Sequence, residues 1–205
     1  MDEGIVYRMR AALLWHDSST REELYSQFSR NSVRKVVLVM ALSADSLRNI
    51  FRQIPSMVGV LTATDSTSIF SSTISSLVSI DIDAQEPVVC FVLKKESLIG
   101  KIIREGNPFS ISLLDENQTE ISSKFALPRG KTSLMEPGFE YEKHGNDTFG
   151  ISGCFIFIKA SYIKMFDEYE SNLYIVSVEN SQINRFKSPL LYQDRTYGEF
   201  QKFQD

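Results

Sequence analysis

Three apolar, β-branched segments follow one another at turn-length intervals: MVGVLTAT (57–64), IFSSTISSLVSI (69–80) and PVVCFVL (87–93). The polar cluster DSTS (65–68) separates the first two and reads as a hairpin turn. PVVCFVL is apolar without interruption, the pattern of a strand buried on both faces. Three more strand segments follow: PFSISLLD (108–115), and ISGCFIFIKASYIKMF with NLYIVSVENSQIN (151–166 and 172–184), a hairpin turning on DEYES. Helical signals inside this succession are short. In KKESLIGKIIREGN (94–107) Ile99, Ile102 and Ile103 share a helix face and Gly106-Asn107 ends it. ENQTEISSKFA (116–126) carries Ile121 and Phe125 at helical spacing. Strands are too many and βα units too few for a doubly wound sheet, and no GxGxxG is present. The expected fold is mainly β with short helices, a six- or seven-stranded split β-barrel.

The segments around this body are of other kinds. SSTREELYSQFSR (18–30) offers two overlapping capping boxes, Ser19 with Glu22 and Thr20 with Glu23, ahead of Leu24 and Phe28. It reads as a short helix, either packed on the body or serving as a docking arm for a protein partner. A second helix is expected where Asp45 can cap and Leu47, Ile50 and Phe51 share a face; Pro55 stops it. The division expected is a helical extension over 1–45 and a barrel domain over 46–205. LPRGKTSLMEPGFEYEKHGNDTFG (127–150) holds glycines, prolines and charges and reads as a long loop, a possible lid. SPLLYQDRTYGEF (188–200) closes the chain.

A chain of 205 residues with 42% hydrophobic and 23% charged residues has the composition of one globular domain with an appendage. Its net charge of −4 argues against nucleic acid as the main partner. No apolar run approaches the ~18 residues of a membrane-spanning helix. Cys90 and Cys154 lie apart within apolar runs, without a CxxC, and His16 and His144 are scattered, so no metal site is expected. Free buried thiols suit a reducing, intracellular compartment, cytoplasmic or mitochondrial. Asp2, Glu3, Asp17, Glu22 and Glu23 weaken a mitochondrial presequence, while Arg8, Arg10, Arg21, Arg30, Arg34 and Lys35 keep it open.

No GxSxG accompanies the serines, and the acids of DID (81–83) read as a solvated loop. Two features converge instead. SSTISSLVS (71–79) places small hydroxyl residues along a strand, where another molecule can approach the backbone. The strand after it runs into Lys94, Lys95 and Ser97 at a helix start, where N–H groups and positive charge suit a phosphate.

These segments resemble the flavin reductase-like, FMN-binding split-barrel family from about Leu47 to Gly198. LRNIFRQIPSMVGVLTA is similar to its entry helix and first strand, and STISSLVSIDIDAQEPVV to its G-M-T-x-S-S-F-x-S-V-S-x-x-P-P-x-V block. KKESLIGKI resembles the segment closing over the FMN phosphate, FSISLLDENQTEISSKFA its F-x-V-N-x-L-x-x-x-Q-x-x-L-x-x-x-F-A, and PLLYQDRTYG its P-L-x-Y-x-x-x-x-Y-G. The resemblance implies a flavoprotein binding FMN, with FAD as the alternative, and taking hydride from NAD(P)H. It implies Thr73, Ser75 and Ser76 at the ring, largely through main-chain groups, and Ser79, Lys94, Lys95 and Ser97 at the phosphate. No catalytic side chain is nominated. It also implies a homodimer, with Tyr192 and Tyr197 at the interface or beside the ring. Ser71 and Met57 replace glycines of the pattern, Ser112 its asparagine, and Ser171 stands where reductases of the family often carry histidine. The alternative implied by these departures is a split barrel without turnover, acting as a structural or assembly subunit through residues 1–45.

Overall fold

A computed structural model describes residues 43–65, 68–126 and 141–201. The helix expected within 18–30, and the expected extension as far as residue 42, lie outside them.

Helix α1 (Ala44–Arg52) is capped by Ser43 rather than by the expected Asp45: the Ser43 Oγ accepts from the Ser46 N–H at 3.1 Å. Ser43 is extended, at ψ 157°, as an N-cap must be, whereas Asp45 already lies in the first turn and pairs with Arg48. The helix buries no residue among the described ones, and Ile50 and Phe51 of its apolar face are 51% and 67% exposed.

After it come β1 (Ser56–Met57), β2 (Gly59–Thr64), β3 (Ile69–Ile74), β4 (Val78–Asp81) and β5 (Val88–Lys94), then α2 (Leu98–Arg104), β6 (Phe109–Leu113) and α3 (Thr119–Phe125). The chain continues through β7 (Tyr141–His144), β8 (Thr148–Ile151), β9 (Ile156–Phe166), β10 (Ser171–Ile183), β11 (Leu191–Gln193) and β12 (Thr196–Gly198). Seven strands form one antiparallel sheet in the order β3-β2-β6-β9-β10-β5-β4. Its two edges, β3 and β4, are consecutive in sequence. Phe70 and Ile74 of β3 nevertheless share one buried cluster with Val89, Phe91 and Leu93 of β5, five places away in the sheet. The sheet is therefore rolled around that core and left open between β3 and β4, which is a seven-stranded split barrel. Ile99, Ile102 and Ile103 of α2 enter the same cluster, so the helix plugs the barrel, and Gly106, at φ 82°, ends it as the sequence indicates.

The strand PVVCFVL is not buried on both faces. Val89, Phe91 and Leu93 point into the barrel, while Val92 on the other face is 40% exposed. Among the described residues the outer face of β5 carries no second layer, so even this uninterrupted apolar run alternates in burial, whereas β2 and β6, covered on both sides, are buried throughout. The stretch 127–150 is likewise not loop throughout. Residues 127–140 lie outside the described ones, but β7 and β8 pair as a hairpin turning at Gly145 (φ 73°). It lies against a second core of Val58, Val60, Leu114, Phe125, Ile151 and Leu190 on the barrel's outer side. In β7 the consecutive Glu142 and Lys143 are both exposed, one on each face of the strand, and these charges are what read as loop in the sequence.

Candidate functional site

The seam between β3 and β4 gathers most of the sequence-predicted residues. As an edge strand, β3 leaves alternate main-chain N–H and C=O groups without a ladder partner. Beyond it Ser75 is exposed, and Ser76 is half-buried because its hydroxyl is fastened to β5: Oγ accepts from the Val92 N–H at 2.9 Å and lies 3.3 Å from the Val92 carbonyl. This one side chain holds the crossing between the edges beside the end of β5. Lys94 closes that strand and is paired across the ladder with Ser171. Lys95 follows, its Nζ 3.4 Å from the Asp167 carbonyl, and the Lys95 N–H is bonded to the Glu170 carbonyl. Ser97 is the N-cap of α2, and its hydroxyl makes no bond to its own helix. Lys94 and Lys95 are both exposed.

Two predicted residues stand differently. The Thr73 hydroxyl donates to the Ser122 carbonyl of α3 at 2.8 Å, so this side chain ties β3 to a helix and only its backbone is left for a ring. Ser79 pairs with Val89, five residues before Lys94 on β5. At a strand rise of ~3.3 Å per residue that is about 16 Å, too far for one phosphate to meet both. Ser71, where the pattern has glycine, is used: its hydroxyl lies 3.1 Å from the Tyr141 Oη and 3.4 Å from the Thr62 Oγ1, linking the edge strand to the β7–β8 hairpin. Tyr197 is engaged within its own chain, its Oη 3.0 Å from the Ser122 Oγ, with the Tyr192 ring 5.2 Å away. Asp81, of the DID stretch, accepts from the Ala84 N–H at 3.1 Å and closes a turn.

One residue at the seam escapes the sequence reading. Asn172 is 3% exposed, faces the barrel interior opposite Leu93, and its Oδ1 has no hydrogen-bond partner among the described residues. The sequence comparison points at Ser171; strand alternation turns the next side chain inward beneath it.

Beside the seam the outer face of β5, β10 and β9 is apolar: Val92 pairs with Leu173 and Leu173 with Phe166, which is 44% exposed. Val78 of β4, 58% exposed, extends it. Cys90 and Cys154 are free and half-buried, and burial pushes both thiols up from their ordinary pKa.

The rolled, seven-stranded sheet with one open seam defines the class, a split-barrel protein. The flavin reductase-like domain family matches residues 51–201, and the chain belongs to it. Among solved structures, the NADH:FAD oxidoreductase of Streptomyces globisporus, determined with NAD and FAD fragments, superposes with a TM-score of 0.70 at 16% identity, over 78% of this chain and 94% of that one. The flavin reductase of styrene monooxygenase from Pseudomonas putida gives 0.66 at 19%, over 77% and 99%. The flavin reductase component BorF of a bacterial two-component tryptophan halogenase gives 0.69 at 16%, over 78% and 100%. No curated protein matches the chain significantly.

Proposed function

We propose that the protein binds FMN along the β3–β4 seam and passes hydride to it from NAD(P)H. Membership of the flavin reductase-like family supports the reaction class. The observation that supports this placement is the Ser76 clamp, which ties the end of an open strand edge and the exposed Ser75 to β5, the strand that ends in two exposed lysines. The main chain of β3 near Thr73, with Ser75 and Ser76, meets the ring; Lys94, Lys95 and Ser97 meet the phosphate. Ser79 falls outside that phosphate group. A bound flavin supplies the hydride-accepting ring, and the chain's part is to hold it with neutral donors at the ring and cations at the phosphate. FAD fits the same anchor as an alternative. The apolar outer face of Val78, Val92, Leu173 and Phe166 supports a homodimer packed there. Free, half-buried thiols support a reducing compartment, mitochondrial or cytoplasmic.

The exposed apolar face of α1 favours a second reading, in which the N-terminal region docks the barrel into a larger assembly without turnover. Both are tested by titrating the full chain with FMN and then following NADH and NADPH oxidation. Saturable binding, weakened about tenfold or more in Lys94→Ala/Lys95→Ala, is the expected result. Unchanged affinity in that variant refutes the phosphate assignment. A chain that neither binds FMN nor oxidises either nucleotide, yet elutes in a larger complex lost on deleting residues 1–45, refutes the first reading.

A further inference from the structure

A groove of about 490 Å³ lies between the β7–β8 hairpin, the start of β9 and the loop that follows β10. It is remote from the lysines. Ser171, opposite Lys94, and Ile183, in the groove wall, are the two ends of β10, separated by about 40 Å of strand. From Thr73 it is four strand spacings along the Thr73–Val60–Ser112–Phe157–Gln182 row, about 19 Å across the ladder.

Its floor is aromatic and fixed. Phe157 is 5% exposed, and the His144 ring lies nearly parallel on it, with centroids 3.5 Å apart and planes at 15°. Gly150 makes this possible: a Cβ there would stand 2.7 Å from the Phe157 ring carbons. The opposite wall is a loop locked by its own hydrogen bonds. The Asn184 N–H donates to the Phe155 carbonyl at 2.9 Å, the Phe186 N–H to the Asn184 Oδ1 at 3.2 Å, and the Lys187 N–H to the Asn184 carbonyl at 3.2 Å. Phe186, in this turn, is completely in solvent, 100% exposed, and Arg185 lines the same groove. A large aromatic ring kept out of the core, in the lining of a groove that also holds the His144–Phe157 stack, offers apolar surface to a planar partner. Arg185 in the same lining adds an anion anchor on the wall across from β7, where Glu142 is the lining's one carboxylate, and the Gln182 amide is available for the edge of a heterocycle. The volume matches a ligand of mononucleotide size.

We propose that this groove is a second ligand site, separate from the flavin seam, for a planar heteroaromatic anion of the nucleotide class. The ring is held against the His144–Phe157 stack under Phe186, and the anionic group by Arg185. Free mononucleotide and the nucleotide half of a dinucleotide present the same chemistry.

The full-length protein is titrated calorimetrically with AMP and adenosine, each with and without saturating FMN, and with NADH in the absence of FMN. The expected result is saturable AMP binding that persists with FMN present and weakens about tenfold for adenosine, for Arg185→Gln and for Phe186→Ser. Both substituted side chains are exposed, so folding is spared, and circular dichroism verifies it. FMN affinity is expected to be unchanged in both variants. NADH binding that is equally sensitive to the variants identifies the source as a dinucleotide; insensitive NADH binding identifies the free mononucleotide. No saturable AMP binding, binding indifferent to both variants, or one-for-one displacement of AMP by FMN overturns the proposal. The AMP arm without FMN is independent of the flavin reading, so the two fail separately.

Discussion

Helix α2 is seated on the barrel through Gly100, and adding one methyl there tests how the fold positions the candidate phosphate anchor. A Cβ at Gly100 would overlap the Tyr174 hydroxyl, reach 3.0 Å from its Cζ and touch a Leu93 methyl at 3.4 Å. Tyr174 cannot swing aside. It is 1% exposed, stacked on Phe91 at 5.3 Å and 7°, and met edge-on by Tyr162 at 6.5 Å. Two effects oppose each other in Gly100→Ala. Alanine favours the helix over glycine by up to ~1 kcal/mol, and overpacking a fixed core costs ~1–3 kcal/mol. Because the obstructing group is a rigid buried ring, the upper part of that cost applies, leaving a net loss of about 2 kcal/mol. For a chain of this size the melting temperature falls by about 4–8 °C. Urea denaturation gives the free energy, and FMN titration of the still-folded variant reports whether Lys94, Lys95 and Ser97 move with the helix. In a Tyr174→Phe background the methyl meets only the ring carbon, so the cycle should show coupling of about 1 kcal/mol or more. A Gly100→Ala variant as stable as the parent, with no coupling to Tyr174→Phe, would refute the seating argument.

Ser76→Ala removes both bonds to Val92; water replaces part of them at this half-exposed place, so urea denaturation should show a loss of only about 1 kcal/mol, with a larger relative loss of FMN affinity. Cys90 and Cys154, raised by burial, should alkylate more slowly than a solvated thiol at neutral pH and at an ordinary rate in denaturant. Their contribution to stability is present below the ordinary thiol pKa and lost as pH rises above it, visible as a falling urea midpoint. Glu179 is held below the usual carboxylate range, first by the Ser161 hydroxyl and then by Lys159 at 3.1 Å. The stability difference between the parent and Ser161→Ala is therefore expected at neutral pH and should fade as pH falls through the carboxylate range; a difference that persists in acid contradicts the assignment.

Much of the barrel is legible in the sequence because its signals are local. Alternation and β-branching mark β2, β3, β6, β9 and β10, and Gly106 marks the end of α2. Burial of β5 is misread because PVVCFVL is apolar on both faces, and which face meets the core is decided only when the sheet rolls. The β7–β8 hairpin is hidden for the opposite reason: β7 carries adjacent charges, Glu142 and Lys143, and the apolar cluster that Ile151 joins includes residues distant in sequence, such as Leu190. The site divides in the same way. The hydroxyl stretch and the lysines stand out as composition, but that Ser76 clamps Val92 while Thr73 is spent on α3 depends on neighbours 16 and 49 residues away.

The hydroxyls of 71–79 are thus not one surface with one purpose. Ser71 and Thr73 fasten the edge strand to the hairpin and to α3; Ser76 fastens the crossing to β5; Ser75 remains exposed beside them. Fastened in this way, the seam keeps its width without the ladder that would close it, since β3 and β4 do not pair. An open edge normally invites association with another chain. On β3, small hydroxyl side chains bonded inward leave the edge accessible without apolar bulk, while the exposed apolar surface lies on β4, at Val78. One departure from the family pattern acts in the same direction: a glycine at 71 could not reach Tyr141, so the serine adds a restraint on the edge strand beside the open seam.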